Sequence, residues 1–302
     1  MRMQGQLAYL FKIIMGYPLM PLRHTRKIAI FCLMALLSLT MGTTHAYILR
    51  GPHILELMTR KFGQPKNMLV KQQVLFFNTG ETGTTVADET LRYVFPEVFR
   101  SDTQSENARR IHLTTGGESM TVIDGKLAGK DERVFDLYKD LMFYRSRVQL
   151  EDRLSTLGVD MSVVAYGRFE DKIAFVIGAE RPDDPVPQVW VDKESFLPVR
   201  WLMKADDADA RTVDLEIRYA DWRQIEHVWY PMQVVYYQDG KPVREINVES
   251  LSTNLTFPME LFDMERLRQK LVSAASEVKE GSVSGEINEI EKSIDEFRKK
   301  FE

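Results

Sequence analysis

The sequence predicts an α+β protein built on one large, curled antiparallel sheet of about eleven strands, with helices near the N-terminus and in the middle and a helical C-terminal extension. Three observations predict it. First, the chain from about residue 162 to 262 runs in short alternating segments: Val213, Leu215, Ile217 and Tyr219 share one face, while Thr212, Asp214, Glu216 and Arg218 share the other. That is the period-two pattern of a strand with one dry and one wet side. Second, turn-forming clusters separate the segments, among them Glu170-Asp171-Lys172, Asp206-Asp207-Ala208-Asp209 and Gln238-Asp239-Gly240-Lys241. Third, helical spacing of apolar residues is confined to 53–62, 132–157 and the stretch after 258. A sheet of this many strands has to curl, because open twisted sheets of that size do not stay flat.

The first residues read as a leader rather than as fold. Arg23, Arg26 and Lys27 form a positive segment ahead of the apolar run Ile28 to Leu37, and Thr44-His45-Ala46 is a small-x-small cleavage site. A secretory signal peptide over residues 1–46 is expected, with an uncleaved anchor as the alternative. The apolar run is short for a span, which needs about 20 residues. Met20 would open a leader of ordinary length, so translation from Met1 or from Met20 both remain open. Cleavage removes five bases and no acids, leaving 35 bases, 44 acids and a net charge of −9. Such acidity argues against nucleic acid as a partner. The lone cysteine, Cys32, leaves with the leader, so the mature chain has no disulfide, thiolate zinc site or cysteine nucleophile.

In chain order, Ile54, Leu57, Met58 and Phe62 place a helix over 53–62, which Gly63 and Pro65 end. Strands are expected over 68–77, through Leu91, Tyr93 and Phe95 up to Pro96, and over 110–115 and 118–123. Gly116-Gly117 joins the last two, and Asp124-Gly125-Lys126 turns the chain back. A helix over 132–144 carries Val134, Phe135, Leu137, Tyr138, Leu141 and Met142, and a second over 148–157 closes at Gly158. Strands then follow at 162–168, 173–179, 188–192, 199–204, 212–219, 232–237 and 244–250. This divides the mature chain into a sheet domain over 47–262 and a helical extension over 263–302. From Pro258 onward Leu261, Met264, Leu267, Leu271 and Val272 stripe one helix, and Ile287, Ile290, Ile294, Phe297 and Phe301 repeat at heptad spacing. That seam either docks on its own domain or binds a partner.

Catalytic constellations fail one by one. His53, His112 and His227 lack metal-ligand spacing, and no HExxH, CxxC or P-loop occurs. Gly117-Glu118-Ser119-Met120-Thr121 lacks the closing glycine of a nucleophile elbow and lies between two strands. Asp206, Asp207 and Asp209 have neither the sharp-turn glycine nor the distal glutamate of a calcium loop. No enzyme and no cofactor are expected. What remains is the dry face of the sheet, carrying Leu91, Tyr93, Phe95, Phe175, Ile177, Trp201, Met203, Leu215, Ile217, Tyr219, Val234, Tyr236, Ile246 and Val248. These fill an ordinary core, or they line a cavity larger than their own volume that holds acyl chains at about 0.8 kcal/mol per buried methylene.

Several motifs in order resemble the outer-membrane lipoprotein-sorting family, the LolA-like carriers and their RseB-like relatives. They are Phe95-Pro96 with Phe99-Arg100, Ile123-Asp124-Gly125-Lys126, Tyr166-Gly167-Arg168, Val189-Trp190-Val191-Asp192, Leu197-Pro198, Trp229-Tyr230-Pro231, Asn254 and Leu261-Phe262. The resemblance implies an unclosed half-barrel whose inner face is lidded by the helices of 53–62 and 132–157, in a Gram-negative periplasm. It also implies cargo that is lipid or lipid-modified protein, an inner-membrane transporter as donor and an outer-membrane acceptor. Two departures stand out: Phe95 replaces the family's arginine before the proline, and a glycine-containing linker follows the Asp-Gly-Lys turn in place of an aromatic strand. An envelope scaffold using the same fold without acyl cargo is the competing expectation.

Overall fold

The computed structural model describes residues 48–77, 83–129, 133–206 and 212–271. The leader and the heptad seam of 287–301 lie outside the described residues. Among those described, thirteen strands form one antiparallel sheet. The first six are β1 (Asn67–Phe77), β2 (Thr84–Val94), β3 (Val98–Ser105), β4 (Arg109–Thr115), β5 (Glu118–Ile123) and β6 (Lys126–Gly129). The other seven are β7 (Val164–Phe169), β8 (Lys172–Ile177), β9 (Gln188–Asp192), β10 (Pro198–Asp206), β11 (Thr212–Ile225), β12 (Val228–Gln238) and β13 (Lys241–Thr253). Each set is an up-and-down meander. Pairing of β1 with β13 fuses the two, so the strand order runs from β6 through β1 and β13 to β7. β6 and β7 are the two ends, and the sheet does not close.

Two strands exceed the expected count. β3 was hidden because its inward residues Phe99, Ser101 and Thr103 mix apolar and polar, which erases the alternation. β6 has four residues and directly follows the turn in which Asp124 (φ 48°) and Gly125 (φ 76°) take the left-handed conformations of a tight hairpin. A short strand therefore does follow Asp-Gly-Lys, although it is not aromatic.

Helices cover one face of the sheet. α1 (Gly51–Lys61) buries Ile54, Leu55 and Met58, and Phe62 just beyond it is also fully buried. Two glycines let α1 approach. A Cβ on Gly51 would stand 2.5 Å from the Met161 carbonyl oxygen, and one on Gly63 would stand 2.5 Å from that of His227. The expected helix of 132–144 is instead a 3₁₀ helix over Val134–Lys139 followed by a single α turn, α2 (Asp140–Phe143). α3 (Arg147–Thr156) completes the cover, with Leu150 and Leu154 inward.

The outer face is not uniformly wet. Ala174, Val176 and Trp190 form an apolar patch on β8 and β9, where Trp190 leaves room only for a glycine at Gly167. On β4 and β5, Leu113, Met120 and Val122 are covered by Phe262, by Met264 and by Leu267 and Leu271 of α4, a helix described over 264–271. The start of the C-terminal extension thus docks on the outer face of its own sheet.

Candidate functional site

All fourteen residues expected on the dry face converge. They belong to one apolar cluster, or pack against it, and its opposite wall is the three-part helical cover. Cross-strand registers explain the convergence. Trp201 faces Ile217 and Met203 faces Leu215 between β10 and β11; Ile217 faces Tyr236 and Tyr219 faces Val234 between β11 and β12. Val234 then faces Ile246, and Leu91 lies beside Val70. A register shift at Lys71/Gln72 places Val248 opposite Gln72 and keeps Leu251 inward. Phe95 lies past the end of β2, stacked 5.8 Å from Tyr93. Sequence reasoning missed the contribution of β1 to this face, although Met68, Val70, Val74 and Phe76 alternate visibly.

The cover is held by hydroxyls from the sheet. Tyr219 Oη donates to the Tyr138 carbonyl at 3.0 Å, and Tyr236 Oη donates to the Phe135 carbonyl at 2.9 Å. Residues three apart eclipse along a 3₁₀ helix, so these two carbonyls line up on one side. That geometry accounts for a 3₁₀ helix where spacing predicts an α-helix. Burial raises both phenols well above their ordinary pKa, which keeps them as donors.

The interior divides by polarity. Towards β8–β11 it is apolar: Phe175, Ile177, Val189, Val191, Trp201 and Ile217 are all buried. The buried Trp201 indole N–H has no acceptor. Towards β2–β4 it is polar. Glu89 accepts from Gln72 Nε2 (2.6 Å), Ser101 Oγ (2.5 Å) and Thr103 Oγ1 (3.2 Å), and Gln72 also donates to Tyr138 Oη at 2.8 Å. His112 Nδ1 and Thr121 Oγ1 are 2.9 Å apart. Arg110 pairs with Asp136 at 2.5 Å. Burial opposes the Asp136 charge, but Arg110 and the other nearby bases outweigh it and hold the carboxyl below the usual range. Asp140 lies between Lys139 Nζ (3.1 Å) and Arg153 Nε (2.7 Å), tying α2 to α3.

A partly open space beside the 3₁₀ helix measures about 30 Å³ and is lined partly by Glu89, Arg110, Asp136 and Arg244. That is room for a water or two, against the roughly 300 Å³ or more of a ligand site. The helical cover packs directly on the apolar inner face. A larger groove, about 540 Å³, lies on the outer face between Arg100, Arg109 and Ile111 and the 258–270 segment.

Phe95, the residue before Pro96, meets an arginine from the cover. The sheet offers Phe95, and the arginine is Arg145, on the link from α2 to α3. Its guanidinium sits 4.8 Å from the centre of the Phe95 ring and 5.4 Å from that of Phe62. It donates to the Gly63 carbonyl at 3.3 Å, across to the end of α1. Other resembling motifs are structural. Asp192 Oδ1 accepts from Ser195 N and Oγ, both at 2.7 Å, to build the β9–β10 turn. Asn254 Oδ1 accepts from Lys66 N at 2.9 Å and fastens the end of β13 to the start of β1. Tyr230, from Trp229-Tyr230-Pro231, pairs its hydroxyl with that of Tyr93 at 3.1 Å.

Among the described residues no group of three or more His, Cys, Asp or Glu could hold a metal ion, and no helix is long and apolar enough to cross a membrane. Ser119 lies on the hairpin strand β5, 2.9 Å from Thr114 Oγ1.

No protein-family profile matches the chain, and no curated protein matches it. Among solved structures it is similar to a DUF1329 family protein from Desulfovibrio piger, with 10% identity, a TM-score of 0.49, and coverage of 72% of this chain and 97% of that one. It is similar to a LolA superfamily protein from Nitrosomonas europaea, with 12% identity, a TM-score of 0.49, and coverage of 72% and 99%. It is also similar to a putative outer membrane lipoprotein-sorting protein domain from Vibrio parahaemolyticus, with 13% identity, a TM-score of 0.46, and coverage of 72% and 98%.

Proposed function

We propose that the protein is a periplasmic carrier of lipid or lipid-modified protein, described here with its lid closed. One observation carries the reading: a continuous apolar wall on an unclosed sheet is covered by short helices rather than by a second sheet. Displacing that cover would expose a surface suited to acyl chains without breaking any strand pairing. The order of sequence motifs shared with lipoprotein-sorting carriers supports it, as does the leader expected over residues 1–46. On this reading an inner-membrane transporter hands over the cargo and an outer-membrane acceptor receives it.

Native mass spectrometry of protein isolated from periplasm tests the proposal. Co-purifying acyl ligand, or saturable uptake of a fluorescent fatty acid, is the expected result. Persistent absence of both overturns it.

The groove of about 540 Å³ beside the docked 258–270 segment favours a second reading, an envelope interaction scaffold whose partners bind outside. Deleting residues 281–302 then abolishes recovery of a partner while leaving the fold intact. Unchanged recovery rejects that reading.

A further inference from the structure

Arg145 is 6% exposed, yet no carboxylate lies within ion-pair distance among the described residues. A guanidinium carries five N–H donors in a planar fork. Here one nitrogen makes a long bond to the Gly63 carbonyl at 3.3 Å, another touches Met68 Sδ at 3.5 Å, and Nε has no partner at all. The rings of Phe62 and Phe95 supply the remaining attraction. Burying an unpaired charge costs several kcal/mol, and two cation–π contacts recover only part of that. Burial lowers the pKa of Arg145 to about 10, and the groups that raise it are Tyr93 and Tyr230 rather than an acid.

Those two tyrosines add a second unmet donor. Their hydroxyls bond only to each other, so the pair holds one hydrogen more than its mutual bond uses. The neighbourhood is therefore rich in donors and poor in acceptors. It also borders the apolar interior, through Tyr93, Phe143 and Met68.

We infer that Arg145, with the Tyr93–Tyr230 pair, is the seat of the anionic head group of an amphiphile, a carboxylate or a phosphate, whose hydrocarbon lies along the inner face of the sheet. The inference rests on the carrier reading for the hydrocarbon and adds the charge. The fork matches a two-oxygen anion, which would replace the Phe62 and Phe95 contacts with charge-assisted bonds. Phe62 follows directly on α1, so seating the head group and moving α1 are one event.

The test is a matched pair of probes differing only in charge: parinaric acid and its methyl ester, titrated at pH 8 by fluorescence. Unsubstituted protein should bind the acid at least about tenfold more tightly, the least that a charge-assisted pair supplies. Arg145→Met should bring the acid to the level of the ester and leave the ester unchanged, while Arg145→Lys retains part of the preference. Equal binding of acid and ester, or equal loss of both in Arg145→Met, overturns the inference and leaves the carrier reading standing. If neither probe binds, the carrier reading falls, and the inference with it. Inorganic phosphate is the competing arm: displacement of the acid by phosphate alone would make this a free-anion site and overturn the head-group assignment. Should Arg145→Met fail to fold, as judged by circular dichroism, the acid-to-ester ratio in the unsubstituted protein decides.

Discussion

Removing the two hydroxyls that hold the 3₁₀ helix should loosen the cover without loosening the sheet. Tyr219→Phe and Tyr236→Phe each delete one bond to a carbonyl of the 3₁₀ helix, the buried one of Tyr138 and the half-buried one of Phe135, while keeping the ring in the core. A buried acceptor deprived of its donor costs about 1–3 kcal/mol. Taking about 2 kcal/mol for each, the double variant loses about 4 kcal/mol from the closed state, or roughly a thousandfold in the opening equilibrium. Native-state hydrogen exchange reads that number segment by segment. Amides of 134–143 should exchange about a thousandfold faster in the double variant, while those of β12 and β13 remain nearly unchanged. A uniform acceleration across sheet and cover would mean that the cover does not open as a separate unit. No acceleration at all would mean that the two bonds do not hold it. Either result refutes the reasoning.

Three further perturbations follow from the same geometry. Gly63→Ala puts a Cβ 2.5 Å from the His227 carbonyl oxygen at a φ of 83°, so it should lose at least about 1–2 kcal/mol and several degrees of melting temperature; an unchanged Tm rejects the close approach. Asp136 has a folded pKa held below its unfolded value, so its stabilisation is full above the ordinary carboxylate range and fades as pH falls below about 4. The urea midpoint lost in Asp136→Asn should therefore be larger at pH 7 than at pH 3, and a pH-independent loss would contradict the Arg110 pairing. Met58→Ala removes a fully buried side chain from α1, costing about 2–5 kcal/mol of stability, and on the carrier reading should tighten acyl-probe binding. Weaker binding in that variant would place Met58 among the ligand contacts instead of in the competing lid.

The parts legible in the sequence are those where a single physical rule governs. In β11 the inward set Leu215, Ile217 and Tyr219 alternates with Asp214, Glu216 and Arg218, because one face meets the core and the other meets water. The fourteen-residue wall followed from that rule alone. β3 was illegible because Ser101 and Thr103 point inward to bond Glu89, and a polar interior cannot be told from an exterior by periodicity. The 3₁₀ helix was read as α-helix because its conformation is set by tyrosines more than 80 residues away. In the sequence Pro231 reads as punctuation, yet it lies within β12 opposite Trp222, next to Asp221, where a φ of 50° interrupts the ladder and makes a proline tolerable. Arg145 carried no signal at all. Nothing local distinguishes a buried arginine from a surface one, and its environment is assembled from α1, β1 and the end of β2.

The division of the interior decides which part of the cover can give way. Over β2–β4 the 3₁₀ helix is fastened by Arg110 to Asp136 and by Gln72 to Tyr138, and hydrocarbon laid there would strand Glu89 and its partners. α1 is fastened differently. Among the described residues its side-chain hydrogen bonds, those of Thr59 and Arg60 to Glu56, stay within the helix, and its polar ties beyond itself sit at its C-terminal end, where Arg145 meets Gly63, Lys61 lies over the Trp229 ring and the backbone N–H of Trp229 donates to the Phe62 carbonyl. What else holds it is the burial of Ile54, Leu55, Met58 and Phe62, worth about 1.5–3 kcal/mol each, or roughly 6–12 kcal/mol in all. An acyl chain of about sixteen carbons, at about 0.8 kcal/mol per methylene, offers roughly 13 kcal/mol to the same wall. The two are matched closely enough for one to replace the other. An exchange so nearly balanced lets small differences in head-group contact, concentrated at Arg145, decide whether cargo is held or released.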